Sequence, residues 1–157
     1  MTNQWNKLHV STQAMQLSDF KEQIKKELKP MKHKHFSKGS KIGNKLLTRV
    51  RLSRSDLNSH KFAIGQSESA ECSCHAKNES SLHYLTECFL YTGEHQTLYN
   101  LVEHYIPQFL NKTKQNQYDI LLMGINTDQP EFYSTNTTIT IAVQKFILST
   151  KRFSETE

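Results

Sequence analysis

Long apolar runs, glycine, proline and cysteine are all scarce in this chain of 157 residues. No apolar run approaches the roughly 18 residues that a membrane-spanning helix requires, and polar residues follow Met1 where a secretory signal would be hydrophobic. These two absences lead us to expect a protein inside the cell, nuclear or cytoplasmic, with no membrane partner. Five glycines, three prolines, 36% hydrophobic and 22% charged residues also exclude collagen-like and low-complexity chains. The composition is typical of one globular domain.

The three cysteines are an odd number, which argues against a disulfide framework in a reducing compartment. All three nevertheless lie within seventeen residues, with a histidine between them. Cys72, Cys74, His83 and Cys88 have the spacing C-x-C-x8-H-x4-C. Zinc accepts three thiolates and one imidazole in a tetrahedron, so these four residues are the predicted ligands of a Zn²⁺ ion.

Two features of this pattern leave alternatives open. His75 directly follows Cys74 and could replace Cys72 or His83 as a ligand. His83 and Cys88 are five residues apart, and five steps of about 100° overshoot one helical face by ~140°. A helix that contains His83 must therefore end or distort before Cys88. The alternative to a metal site is that the three cysteines are small buried hydrophobic residues and His83 is a hydrogen-bonded core residue.

The net charge of +5 is unevenly distributed along the chain. Residues 21–61 contain thirteen lysines and arginines against three acids, whereas residues 62–157 contain six basic and eleven acidic residues. We expect RNA or DNA to bind the basic part, because each neutralised phosphate releases a counterion. The alternative is a solvated surface, as most charge runs are. The candidate nucleic-acid-binding residues are Lys32, Lys34, Lys38, Lys41, Lys45, Arg49, Arg51, Arg54 and Lys61.

Apolar residues at spacings of three and four predict a mainly α fold. The predicted helices lie before Pro30, on either side of residues 53–55, within residues 94–106 and within residues 137–153. Residues 118–125 form an apolar run that is too short to assign.

Helix ends are also predicted from particular residues. Ser18 is the predicted N-cap of the helix before Pro30. Ser55 is the predicted N-cap of the helix that follows residues 53–55, and Gly65 should end that helix. The stretch 31–45 contains two glycines and shows no period, which predicts an exposed basic loop. The side chains that could stack on nucleic-acid bases are Phe36, His33 and His35 in this loop and Tyr84 or Tyr91, although the two tyrosines are more typical of core packing.

Several motifs in this order resemble the C-terminal end of reverse transcriptases from non-LTR (LINE-type, jockey-like) retrotransposons. They include WNKL, KLLTRVRLSRSDLNSHKF, CSC, SLHYLTECFLY and ILSTKRF, and the resemblance runs from Trp5 to Phe153. Its most specific parts are Leu47–Arg51, Leu57–Phe62 and Cys72–Tyr91. The family often has Cys-Gly where this chain has His75-Ala76, and Cys-Pro after the last ligand where this chain has Phe89.

The resemblance implies that the C-x-C and H-x4-C residues bind zinc. It also implies that the region helps to hold element RNA or target DNA during target-primed reverse transcription, beside a polymerase domain. No Tyr-Ala-Asp-Asp-like motif and no endonuclease motif occurs in the chain, and its acids form no set that could gather two catalytic metals. We therefore expect no catalytic residues. Two alternatives are an interaction fragment that packs on a polymerase, and a decayed remnant without function.

The predicted organisation is thus a small helical domain with a zinc-knuckle-like insertion and a basic loop. It has four segments. These are an N-terminal amphipathic helix that ends a polymerase-like region (1–30), a basic loop with helices (31–65), the zinc-knuckle-like module (66–92) and a C-terminal helical segment (93–157).

Overall fold

Residues 34–153 are described by a computed structural model, and within this range the chain is helical and contains no strand. The prediction of a mainly α fold is therefore confirmed. The helix predicted before Pro30, its cap Ser18, Lys32 and His33 lie outside the described residues. Between residues 34 and 153 the six helices are α1 (Lys41–Arg51), α2 (Asn58–Ala63), α3 (Ser81–Thr86), α4 (Thr92–Tyr105), α5 (Lys114–Met123) and α6 (Tyr133–Ser149). Short 3-10 turns cover Lys34–Ser37, Phe89–Tyr91 and Pro130–Phe132.

Helix α6 is the central element of the described fold. It packs against α1, α4, α5 and the turn Lys34–Ser37, and it contributes Ile139, Val143, Phe146 and Ile147 to the hydrophobic core. Its sequence is rich in β-branched residues, which have a weak intrinsic preference for helix. Tertiary packing of its apolar positions therefore outweighs local propensity here. Among residues 34–153, none of the helices has the length and apolarity needed to cross a bilayer.

The predicted basic loop is shorter in the structure than in the sequence-based prediction. Residues Lys34–Ser37 form a 3-10 turn in which the His35 side chain is buried. Helix α1 then begins at Lys41, because the hydroxyl of Ser40 accepts a hydrogen bond from the Gly43 N–H at 2.9 Å. The second glycine of the predicted loop therefore lies within the first turn of a helix.

The predicted cap of α2 is wrong. Its N-cap is Leu57, which makes no side-chain cap hydrogen bond, and not Ser55. The Asn58 N–H at the start of the helix donates instead to the carboxylate of Glu79 at 2.7 Å. Local spacing could not reveal this partner, which lies 21 residues further along the chain. The helix ends at Ala63, and Gly65 follows with a φ of 72°, as expected for a glycine beyond a helix end.

A buried amide in α6 holds the segment that precedes α1. The Gln144 side chain donates to the carbonyl of Lys38 at 2.7 Å and to the side chain of Asn44 at 2.8 Å. It accepts from the Ser40 N–H at 3.1 Å. Gly39 has a φ of 94°, and a Cβ atom there would overlap the Gln144 amide. This turn therefore requires glycine for its backbone angle and for its close approach to α6.

Replacing Gln144 by Met should destabilise the fold by about 2–4 kcal/mol, because its three polar partners would be deprived of their hydrogen bonds while the side-chain length is kept. Urea unfolding monitored by circular dichroism measures the change. The matched control is Lys145→Met at the adjacent, exposed position, for which we expect a change within about 0.5 kcal/mol. Equal effects of the two substitutions would contradict the role given to Gln144.

Candidate metal centre

The first two cysteines lie in a tight turn. The His75 N–H donates to the carbonyl of Cys72 at 2.8 Å, and the Cys72 N–H donates to the carbonyl of Ala76 at 2.9 Å. His75 itself adopts a φ of 67°, in the left-handed region. The base of the loop is closed by the Glu79 N–H, which donates to the carbonyl of Ala70 at 2.7 Å. These bonds direct both thiols of the C-x-C motif to the buried side of the loop.

Helix α3 supplies the other two side chains of the cluster. The hydroxyl of Ser80 caps this helix by accepting from the His83 N–H at 3.1 Å. The helix ends at Thr86, and the N–H groups of Glu87 and Cys88 both donate to the carbonyl of His83 at 2.9 Å. The prediction that the helix ends before Cys88 is therefore confirmed. This altered helix end brings Cys88 back toward the side of the helix that carries His83.

The four side chains converge on one buried point. The ligand atoms of Cys72, Cys74, His83 and Cys88 all lie within 4.8 Å of one another. The sulfurs of Cys72 and Cys88 are 3.7 Å apart, and the Cys74 sulfur is 3.2 Å from Nε2 of His83. A regular tetrahedron with zinc–ligand bonds of about 2.0–2.3 Å has edges of roughly 3.3–3.8 Å. Movements of up to about one ångström would therefore bring the four atoms to the distances of a metal site. The cluster could hold a metal ion.

Burial affects the protonation of the thiols. It raises the pKa of Cys88 to about 12, and it raises the pKa of Cys72 as well. Burial acts in the same direction on Cys74, but the backbone N–H of Ala76 and the neighbouring thiols donate hydrogen bonds to its sulfur, and its pKa is lowered. Metal ligation requires thiolates, so a metal that binds here must displace protons from Cys72 and Cys88.

The imidazole of His83 lies between a thiol and a carboxylate. Its Nε2 atom faces the Cys74 sulfur, and its Nδ1 atom lies 3.6 Å from the carboxylate of Glu87. A carboxylate near the far nitrogen of a metal-binding histidine helps to hold the ring in place. Glu87 is thus placed to orient His83 toward the cluster through Nε2.

His75, the alternative ligand, is directed away from the cluster. Its side chain is 89% exposed, and Nδ1 lies 3.5 Å from the carboxylate of Glu71. The four-residue group that converges therefore contains His83 and excludes His75.

Two residues beside the cluster were missed in the sequence-based prediction. The carboxylate of Glu79 is buried, and its Oε1 atom lies 3.9 Å from the Cys72 sulfur. Arg152 donates to this carboxylate through Nε at 2.7 Å and also through Nη2. Glu79 lies within the Cys72–Tyr91 part of the family resemblance and Arg152 within the ILSTKRF motif, but the spacing of 73 residues gives no local signal that they pair.

The candidate nucleic-acid-binding residues do not all lie on one surface. Lys41, Lys45 and Arg49 are spaced by four along α1 and fall within an arc of about 80°, opposite the buried residues of the helix. Arg49 also lies 3.8 Å from the carboxylate of Asp56 in an exposed ion pair. The remaining candidates at described positions are Lys34 in the first turn, the exposed Lys38 and Arg54, and the half-buried Lys61.

Arg51 has a different environment. Its Nε atom donates to the carbonyl of Leu122 at 2.7 Å, and its guanidinium group lies 3.8 Å from the centre of the Phe36 ring. Burial lowers the pKa of Arg51 to about 10. These contacts join α1 to the end of α5 and to the turn Lys34–Ser37. The guanidinium of Arg51 and the ring of Phe36 therefore pack on each other within the fold.

Comparison of the chain with protein-family models, with curated proteins and with solved structures gave no match.

Replacing His75 by Gly should stabilise the protein by about 0.5–1 kcal/mol, because glycine adopts the left-handed conformation without the steric cost that a side chain carries. The change is measured by urea unfolding of the metal-free chain. Ser73→Gly, two residues earlier in the same turn and outside the left-handed region, is the matched control and should be neutral or destabilising. A decrease in stability of the His75 variant would contradict the strain argument.

Proposed function

We propose that this chain is a non-catalytic, zinc-binding module that binds nucleic acid. The observation that carries the proposal is the convergence of three thiols and one imidazole on a single buried point. Zinc is favoured because this donor set contains no hard oxygen ligand and closes a four-coordinate shell around one ion. Such a closed shell is typical of structural zinc sites rather than catalytic ones, which keep a position open for water.

The metal would hold a loop that the main core does not hold. Cys72, Cys74 and Cys88 form a buried group separate from the main hydrophobic cluster, with Ala76 and Tyr91 packed against it. The loop itself is largely polar between residues 65 and 80. Metal–ligand bonds would therefore supply cohesion that apolar burial does not provide here.

Protein purified without chelator should contain one zinc per chain, and Cys88→Ser should lose it, because three remaining ligands leave the coordination shell open. Elemental analysis by mass spectrometry gives the stoichiometry. His75→Ala is the matched control, since this histidine lies in the same loop and points to solvent, and it should retain one zinc. Wild-type chain without metal, or metal loss in both variants, would contradict the proposed ligand set.

The nucleic-acid part of the proposal is supported by the charge of the segment beside the metal cluster. Residues 34–61 contain eight lysines and arginines and one acid, Asp56. Three of these cations, on the exposed face of α1, lie one helical turn apart, a spacing of about 6 Å that is similar to the distance between successive phosphates of a backbone. Cations arranged in this way bind phosphates without reading bases. Either RNA or DNA would satisfy this chemistry.

The family resemblance adds support of a different kind. Its three most specific parts are in contact in the structure: the Ser81 hydroxyl donates to the carbonyl of Val50 at 3.4 Å, and Glu79 caps the helix that begins at Asn58. The three parts therefore belong to one packed unit. On this basis we propose that the chain corresponds to the C-terminal region of a non-LTR retrotransposon reverse transcriptase, acting beside a polymerase domain.

Changing Lys41, Lys45 and Arg49 together to Gln should weaken binding to RNA and DNA. The slope of log affinity against log salt should fall by roughly 2–3, because each phosphate that a cation no longer neutralises lowers it by about one. Fluorescence anisotropy over a salt series measures both quantities. The control triple Lys77→Gln, Lys112→Gln and Lys145→Gln removes the same charge outside residues 34–61. Equal effects of the two triples would show that net charge, and not the face of α1, determines binding.

A second candidate is a module that packs on another protein. Large apolar side chains are exposed at Leu52, Phe62, Ile64, Phe89 and Leu90. Exposed apolar groups of this size are common at interaction surfaces. Under this second function the chain would show no salt-dependent affinity for RNA or DNA, which the anisotropy measurement distinguishes.

A further inference from the structure

A buried ion pair lies directly beside the candidate metal centre. The Glu79 side chain is 3% exposed and that of Arg152 is 21% exposed. The carboxylate accepts two hydrogen bonds from Arg152, one from the Asn58 N–H and a long one, at 3.9 Å, from the Cys72 thiol. Arg152 also donates to the side-chain oxygen of Asn58 at 3.3 Å. No part of the proposed zinc coordination uses either residue of this pair.

The charges around Cys72 give this ion pair a role in metal binding. Three thiolates and one divalent cation leave the centre with a net charge of about −1. A bare carboxylate 3.9 Å from one of these sulfurs would repel the thiolate, and burial makes such repulsion stronger than it would be in water. Arg152 forms two parallel hydrogen bonds to that carboxylate, so its charge offsets the charge of Glu79 where the thiolate must form.

We propose that Arg152 and Glu79 are positioning residues for the metal centre, and that their ion pair sets its metal affinity by balancing charge beside Cys72. This inference rests on the proposed metal binding. It also connects the centre to the end of α6, because Arg152 follows that helix and Glu79 closes the metal loop. Metal binding at the cluster and docking of the residues that follow α6 therefore stabilise each other.

The proposal predicts opposite effects for the two partners. Arg152→Met leaves the carboxylate uncompensated and should weaken Co²⁺ affinity roughly 10- to 100-fold, the range found for residues that orient metal ligands. Arg152→Lys keeps the charge and should stay within roughly threefold of wild type. Glu79→Gln removes the repelling charge, leaves Arg152 beside the thiolate, and should tighten Co²⁺ binding roughly threefold or more. A pair that only supported the fold would weaken metal binding in all three variants.

Titration of the whole chain with Co²⁺, followed through its thiolate charge-transfer and d–d absorption bands, measures these affinities, and circular dichroism at saturating metal checks that each variant is folded. Arg49→Met, which breaks the exposed pair with Asp56, is the matched control and should leave the affinity unchanged. If Arg152→Met does not fold, the other two variants still test the proposal. Co²⁺ affinity should then rise in Glu79→Gln and stay close to wild type in Arg152→Lys. Weaker binding by Glu79→Gln would overturn the inference.

The two levels of proposal fail in different ways. Wild-type chain that shows no thiolate charge-transfer band with Co²⁺ would contradict metal binding itself. Wild-type chain that binds Co²⁺, with Arg152→Met unchanged in affinity, would leave the metal centre in place and overturn only the role of the ion pair.

Discussion

The hydrogen bonds of the buried Glu79 carboxylate hold the metal loop, α2 and the end of α6 together. An ionised carboxylate removed from water without partners would cost several kcal/mol, so the surrounding chain must satisfy it. It is satisfied from two distant places in the sequence, the start of α2 at Asn58 and Arg152 beyond α6. Hydrogen bonds with Glu79 raise the pKa of Arg152, so the guanidinium remains charged. One side chain thus joins the metal loop, the short helix α2 and the end of the central helix.

The candidate metal centre and the basic face of α1 are connected through the same part of the structure. The Ser81 hydroxyl at the start of α3 donates to the carbonyl of Val50 in α1, and the Ser59 N–H donates to the carbonyl of Glu79 at 3.4 Å. The loop that carries Cys72 and Cys74 is therefore held by the helices that carry the basic residues. If zinc binds as proposed, it stabilises the position of α1 and α2 relative to the loop, and it makes no phosphate contact of its own.

The features of the fold and of the metal cluster that could be predicted from the sequence are those set by residues close together in the chain. The close spacing of Cys72, Cys74, His83 and Cys88 predicted their convergence, and the five-residue step predicted that α3 ends before Cys88. Helices α4 and α6 were visible in their apolar spacing, whereas α5 was not assigned, because its apolar residues occupy one short run. The cap of α2 was predicted wrongly, since Ser55 is a typical cap by type and the group that bonds to Asn58 comes from a separate loop. Pairing across 73 residues, as in Glu79 and Arg152, has no local pattern to predict it.

The basic segment shows why charge counting alone overestimates a binding surface. Arg51 lies in the same run as Arg49 and Arg54, yet it falls on the flank of α1 beside the buried face, where its guanidinium reaches Leu122 and Phe36. To bind a phosphate, Arg51 would have to break its hydrogen bond with Leu122 and its contact with Phe36. The free energy lost with these contacts would offset the gain from binding the phosphate. On the outer face of α1 the cost is smaller, because breaking an exposed ion pair such as that of Arg49 with Asp56 takes at most about 1 kcal/mol. If the chain binds a polyanion as proposed, its affinity should therefore depend on the outer face of α1. Substitution of Arg51 would act first on the packing of α1 against α5.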